Sequence, residues 1–225
     1  MLLHIENVLD AATAARMRAQ LDAATWTDGR ETVGPQGAKV KRNQQLPDAS
    51  PLRAQLGREV LSACARHMVF HAATLPVKVL PPRFNRYADG GHYGAHIDGA
   101  VMALADGSQL RSDIACTLFL AEPATYDGGE LIVADTYGEH EVKLPAGDAI
   151  VYPASSLHRV EAVTRGARVA AFFWIQSLVR DEAQRRTLLQ LDAAIRQLTA
   201  RNADADAVKQ LTGVYHNLLR GWSET

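Results

Sequence analysis

His96-Ile97-Asp98 places an imidazole and a carboxylate two residues apart. In an extended strand, residues i and i+2 project from one face. His96 and Asp98 would then stand side by side, with Ile97 pointing into the packing behind them. A second imidazole, His158, lies 62 positions after His96 and follows the turn-rich link Tyr152-Pro-Ala-Ser-Ser-Leu157, so it can open a further strand and point inward. Two histidines and a carboxylate fill one face of an octahedral metal and leave three positions for cosubstrate and dioxygen, the donor set of non-haem iron(II) centres. A structural zinc site would instead be closed by four protein ligands, often thiolates. Ten residues after His158, Arg168 heads the apolar run Val169-Ala-Ala-Phe-Phe-Trp-Ile175. A cation at the head of a buried strand needs an anion, because an unpaired buried charge is costly. Apart from Glu161, no acid lies in the surrounding segment. A ligand carboxylate held by two charge-assisted hydrogen bonds, each contributing about 1.5–3 kcal/mol, would satisfy it.

Positioning these groups falls to a strand-rich stretch. Val77–Leu80, Arg83–Tyr87, Ala95–Ile97, Ile114–Leu120, Leu131–Val133, Glu139–Leu144, Ala149–Tyr152, Val160–Val163 and Arg168–Ile175 all have strand length. Asp89-Gly-Gly91, Asp127-Gly-Gly129, Pro145-Ala-Gly-Asp148 and Thr164-Arg-Gly166 separate them as turns. Many short strands at regular spacing predict a jelly roll, or double-stranded β-helix, over residues 75–178. Helices flank it. Asp10 caps one reaching about Ala24; Gly29, Gly34, Pro35 and Gly37 then break the pattern, and Val40 to Leu46 is a candidate strand. Ser50-Pro51 starts another helix, running to about His71. Asp181 caps a helix to about Ala200 with Leu188, Leu191, Ile195 and Leu198 on one stripe; after a turn, Val208, Leu211, Tyr215 and Leu218 mark a second. This hairpin can close the barrel, offer a self-association surface, or both. The expected class is mainly β with flanking helices (α+β), with a domain over 1–178 and a helical hairpin over 179–225.

Composition narrows the function. The chain has 225 residues, 47% hydrophobic and 22% charged, with net charge -1, which argues against a nucleic-acid-binding protein. The one basic cluster, Lys39-Val-Lys41-Arg42, reads as a solvated or strand-edge segment. Cys64 and Cys116 sit in apolar runs and read as buried free thiols, which fits a reducing compartment. The first residues carry no basic region or long apolar stretch, so neither a signal peptide nor a membrane span is expected, and the cytoplasm is the default.

In order along the chain, His96-x-Asp98, His158 and Arg168 resemble the 2-oxoglutarate- and Fe(II)-dependent dioxygenases. The likeness extends to Arg83-Phe-Asn-Arg-Tyr87, Asp127-Gly-Gly-Glu-Leu131, Pro145-Ala-Gly-Asp148 and Lys39-Val-Lys-Arg-Asn-Gln-Gln-Leu46, and together these are similar to the bacterial PKHD-type hydroxylases, relatives of prolyl and lysyl hydroxylases associated with iron uptake. The resemblance implies hydroxylation of an unidentified peptidyl or small-molecule substrate using dioxygen and 2-oxoglutarate, with release of succinate and CO2, and L-ascorbate as a further cofactor. It implies that His96, Asp98 and His158 hold Fe(II), that Arg168 holds the distal carboxylate of 2-oxoglutarate, and that Tyr87 and Tyr93 line the cosubstrate pocket. On a regular strand Tyr93 would face away from His96 unless Gly94 turns it. Relatives often carry a cosubstrate-binding tyrosine on the strand at Thr117-Leu-Phe119, and this chain has none there. Halogenases of this type replace the carboxylate with a small residue, so Asp98 favours hydroxylation. Ile114, Leu118, Phe172 and Trp174 are the expected apolar walls, with the Phe172–Trp174 pair read more as core than as cofactor platform.

Two other classes fit the same architecture. One is a cupin-like metal enzyme without keto acid, although such proteins usually carry His-x-His with a nearby glutamate. The other is a non-catalytic sensor of iron or 2-oxoglutarate. Among the remaining histidines, His67 and His71 are one helical turn apart but lack a third ligand, and His92, in the glycine turn beside the site, could touch substrate. Asp113 and Glu130 read as turn or barrel residues.

Overall fold

A computed structural model describes residues 1–32 and 34–224; Thr225, the last residue of the expected hairpin segment, lies outside the described residues. The chain opens with strand β1 (Leu3–Ile5) and helix α1 (Ala11–Asp22), whose first turn is capped by the Asp10 carboxylate accepting from the Thr13 N–H. β2 (Thr27–Asp28) leads to the short helix α2 (Pro35–Val40), then to β3 (Lys41–Arg42) and β4 (Gln44–Gln45). Helices α3 (Pro51–Arg66) and α4 (Met68–Thr74) follow. The strand-rich part comprises β5 (Pro76–Val79), β6 (Arg83–Ala88), β7 (His92–His96), β8 (Val101–Ala103), β9 (Gln109–Arg111), β10 (Ile114–Phe119), β11 (Leu131–Asp135), β12 (Gly138–Val142), β13 (Ala149–Pro153), β14 (His158–Val160) and β15 (Ala167–Ser177). Helices α5 (Glu182–Ala200) and α6 (Ala205–Trp222) end the fold.

Two antiparallel sheets face each other as in a jelly roll. The larger has the order β1-β13-β10-β15-β6-β4-β2, with β5 also pairing β15; the smaller has the order β12-β11-β14-β7-β3. The larger sheet is buried on both faces at its centre, where every residue of β10 is buried. Side chains alternate between two cores. Ile114, Cys116, Leu118, Val169, Ala171, Phe173 and Ile175 pack against Met17, Leu21, Leu56 and Val60 of the N-terminal helices. Ala115, Phe119, Ile150 and Tyr152 face the smaller sheet. Ile114 and Leu118 therefore belong to the helix side and do not wall the space between the sheets. Their parity could not be read in sequence, because a strand covered on both faces shows no polar alternation.

Several boundaries differ from the sequence pattern. Pro35 and Gly37 do not break the chain but lie in α2, with Gly34 as the residue before it and Pro35 at its first position, where a missing N–H costs nothing. The expected strand over Val40–Leu46 is two short strands in different sheets, β3 on β7 and β4 on β6. The helix expected to reach His71 is interrupted at His67, whose ring nitrogen accepts from the Phe70 N–H and caps a new helix. The hairpin β8–β9 was not foreseen. Asp181 caps α5 by accepting from the Gln184 N–H, and α5 and α6 close over Leu75 and Val179 through Leu188, Tyr215, Leu218, Leu219 and Trp222. No helix among the described residues is long and apolar enough to cross a membrane.

Candidate active site

β7 ends at His96, and the chain leaves the sheet before Asp98. Ile97 is 60% exposed rather than packed behind the site, because it lies past the strand end where side-chain alternation no longer holds. β14 begins at His158, which pairs with His96 across the smaller sheet. The three residues come together: one ligand atom from each lies within 4.8 Å of the others, and among the described residues this is the cluster with metal-ligating composition. His96 Nε2 is 4.0 Å and His158 Nε2 3.8 Å from the Asp98 carboxylate. Each imidazole donates its other N–H to a backbone carbonyl, His96 Nδ1 to Gly94 at 2.9 Å and His158 Nδ1 to Ser156 at 3.0 Å. That bond fixes the tautomer and leaves Nε2 with a free lone pair, the state a metal ligand requires.

The surroundings favour a neutral His96 imidazole. Burial, and next the neighbouring His158, draw His96 down to about 4. Burial raises the Asp98 carboxyl above the usual carboxylate range, while His158 and the nearby Trp174 indole oppose the shift. Trp174 lies outside hydrogen-bonding geometry, and its buried indole N–H has no partner. A donor set of two imidazoles, each offering Nε2, and one desolvated carboxylate suits a divalent cation.

Tyr93 shares the face of His96. Val160 pairs with Tyr93 and His158 with His96, so three steps along β7 match two along β14. This bulge in β7 rotates the side chains, and the Tyr93 ring stacks on His96 with centroids 3.6 Å apart. Burial pushes the Tyr93 phenol up to about 12.

Arg168 lies on β15 opposite Tyr87 of β6. It is 1% exposed, its guanidinium carbon sits 5.4 Å above the Tyr87 ring and 5.1 Å from that of Phe119, and its Nε and Nη1 have no hydrogen-bond partner. Glu161 does not serve it, being engaged by Arg159 at 2.7 Å. Arg168, Tyr87, Tyr93 and the three clustered residues all line one cavity of about 980 Å³ between the sheets.

Phe172 and Trp174 also line this cavity, in edge-on contact at 5.6 Å, so they form a wall of the site rather than core. Tyr152 escaped the sequence reading. It projects from β13 beside Thr117, 5.2 Å from the His158 ring, and so brings a phenol to the strand where one was missing. Its cross-strand neighbour Ala115 lines the same cavity. Lys41, Gln45, Arg83 and Asn85 also line it unforeseen. Lys41 is at the sheet edge but 5% exposed, above the Tyr93 ring at 5.1 Å, and burial pulls its ammonium down to about 8. Of the two readings of the basic cluster, Lys41 thus takes the strand-edge one and is not solvated. His92 faces away, lining a smaller cleft with Asp28 and Arg30. His67 binds the Glu6 carbonyl, Asp113 pairs with Arg111 at 2.7 Å, and Glu130 with Lys143 at 3.2 Å.

Known proteins share both sequence and fold with this chain. Residues 82–176 match the model of the 2OG-Fe(II) oxygenase superfamily, and residues 182–224 match the PKHD-type hydroxylase C-terminal domain. A PKHD-type hydroxylase of Stenotrophomonas maltophilia (strain R551-3) is 66% identical over 224 residues, covering 100% of both chains. One from Xylella fastidiosa (strain M23) is 62% identical over 230 residues, again covering 100% of both. A Pseudomonas putida prolyl-4-hydroxylase is similar in fold, with a TM-score of 0.53, 20% identity, and coverage of 78% of this chain and 92% of that one. HygX from Streptomyces hygroscopicus, solved with nickel, 2-oxoglutarate and hygromycin B, gives a TM-score of 0.52 at 17% identity, covering 79% and 84%. Over its whole length, the chain belongs to the PKHD-type hydroxylases, which are iron(II)- and 2-oxoglutarate-dependent dioxygenases.

Proposed function

We propose that His96, Asp98 and His158 hold iron(II), and that Arg168, seated on Tyr87, takes the distal carboxylate of 2-oxoglutarate. The observation that carries this reading is the buried Arg168 guanidinium, with two idle nitrogens opening on the same cavity as the three clustered residues. A desolvated cation without a protein anion fits a carboxylate-bearing ligand. When bound, iron(II) and 2-oxoglutarate supply the oxidising power that places a hydroxyl on the substrate, with release of succinate and CO2.

The chain's own residues supply positioning. The Gly94 and Ser156 carbonyls hold both imidazoles in the tautomer that offers Nε2. Asp98 occupies the position a halide would need, which favours hydroxylation over halogenation. Tyr93 braces His96, and with Tyr87 it lines the cosubstrate pocket. Phe172 and Trp174 keep water from the reacting groups.

L-ascorbate fits this chemistry as the reductant that maintains ferrous iron. The substrate is a peptidyl proline or lysine, or a small molecule; the fold shared with a prolyl-4-hydroxylase and with HygX is compatible with either size. The free thiols Cys64 and Cys116 support a cytoplasmic enzyme acting without membrane or nucleic acid, with a role tied to iron uptake. The α5–α6 hairpin is a surface for self-association.

Succinate release without substrate tests the assignment. With Fe(II), 2-oxoglutarate and ascorbate, slow succinate formation is expected, abolished by chelation and by Asp98→Ala. Formation that survives both changes would overturn it.

A further inference from the structure

Asp98 turns one carboxylate oxygen to each imidazole. His96 Nε2 is 4.0 Å from Oδ1, and His158 Nε2 is 3.8 Å from Oδ2. The Asp98 side chain is 9% exposed, so water offers its oxygens little. Three protein donor atoms on an octahedral metal leave three positions for cosubstrate and dioxygen. A carboxylate bound through both oxygens would fill one of those three. A carboxylate bound through one oxygen leaves the other charged, desolvated and in need of a donor. The choice between the two modes therefore falls to whatever the cavity wall presents to the second oxygen.

Trp174 presents an N–H. It lies on β15 opposite Ala115 of β10, and both residues line the cavity. Its ring stands edge-on to Phe172 at 5.6 Å, and its backbone carbonyl accepts from the Leu80 N–H at 2.9 Å, so the indole is held from two sides. The indole N–H is buried and has no hydrogen-bond partner. A buried donor left unsatisfied costs about 1–3 kcal/mol. Trp174 is near enough to Asp98 to favour the charged carboxylate. The phenols of Tyr93 and Tyr152 approach the same group, but Tyr152 is engaged with Thr117 and Tyr93 lies flat on His96. The other two tryptophans are placed differently: the Trp26 indole donates to the Leu21 carbonyl at 3.1 Å, and Trp222 packs in the α5–α6 cluster.

Taking His96, Asp98 and His158 as the iron(II) ligands, we propose that Trp174 is a positioning residue: its indole N–H donates to the Asp98 oxygen that does not bind the metal. The bond keeps Asp98 to one coordination position and leaves three for cosubstrate and dioxygen.

Nuclear magnetic resonance of the indole N–H groups tests this, with Zn(II) as a diamagnetic stand-in for iron(II). On addition of Zn(II) the Trp174 indole proton should move downfield, as on gaining a charged acceptor, while those of Trp26 and Trp222 hold. Trp174→Phe keeps an aromatic ring and removes the donor. It identifies the signal by its loss, and should bind Zn(II) about tenfold or more weaker in calorimetric titration, with a metal-free Tm near that of the parent. If Trp174→Phe does not fold, Trp26→Phe and Trp222→Phe assign the remaining signal, and its shift decides. An unmoved Trp174 proton in the Zn(II)-loaded parent, or parental Zn(II) affinity in Trp174→Phe, would overturn the proposal. Parental Zn(II) affinity in Asp98→Asn would instead remove the ligand assignment on which it rests.

Discussion

The Tyr93 ring stacks on the His96 ring at an interplanar angle of 19°, although the two residues are three apart on one strand. Regular pleating would put them on opposite faces. The bulge that reunites them runs through Gly94, where an added Cβ would meet the Val40 Cβ of α2 at 2.8 Å. Gly94→Ala must therefore push α2 and β7 apart. The expected loss is about 1–3 kcal/mol, as for other overpacked sites, together with a smaller Mn(II)-induced rise in Tm. Thermal melts with and without Mn(II) measure both, and parental values for both would mean that the bulge tolerates a side chain.

Asp98 contributes differently to stability and to metal binding. Its carboxyl is raised by burial, so the fold favours the protonated form. That contribution is present below the unfolded pKa and is lost as pH rises through the folded one. Above the unfolded pKa the buried Asp98 carboxyl therefore costs the metal-free protein stability. Asp98→Asn removes the charge at constant shape, so metal-free Tm should hold or rise while Mn(II) stabilisation disappears. A metal-free Asp98→Asn protein that melts well below the parent would show that the carboxylate holds the fold together.

Arg168 leads to a parallel expectation on the cosubstrate side. Its buried guanidinium has aromatic faces around it but two unsatisfied nitrogens. Arg168→Met should leave the metal-free protein about as stable as the parent, since an apolar chain of similar length replaces an unpaired charge. It should weaken 2-oxoglutarate binding by about a hundredfold or more, the loss of two charge-assisted hydrogen bonds. Titration of 2-oxoglutarate into Mn(II)-loaded protein gives the number, and parental affinity would assign the arginine to the fold alone.

What could be read in the sequence follows from where the signals are local. Caps such as Asp10, Ser50 and Asp181 act within one turn and marked their helices correctly. The spacing of His96, Asp98, His158 and Arg168 pointed to one cavity because each lies within two residues of a strand end. Lys41 and Tyr152 were hidden for a different reason. Lys41 enters the cavity only through the pairing of a two-residue strand with β7, and Tyr152 only through the register of β13 on β10. Both depend on contacts distant in sequence. The fully buried strand β10 carried no alternation, so the assignment of Ile114 and Leu118 to a face required the sheet itself.

Lys41 offers a test of how far the site is held at the expense of the fold. Burial lowers its ammonium from 10.5 to about 8. Between those values the unfolded chain binds more protons than the native one, so stability of the parent should rise as pH goes from about 8 towards 10.5. Below pH 8 the ammonium is charged in both states, and the full burial penalty remains. Lys41→Met has no such group. Its stability relative to the parent should fall as pH rises from about 8 towards 10.5, by a change on the order of 3 kcal/mol. Urea unfolding of both proteins from pH 7 to 10.5 measures the difference. A flat difference across that range would mean that Lys41 titrates alike in both states. A difference that changes with pH as described would show that burial in the cavity wall holds the Lys41 ammonium below its ordinary value.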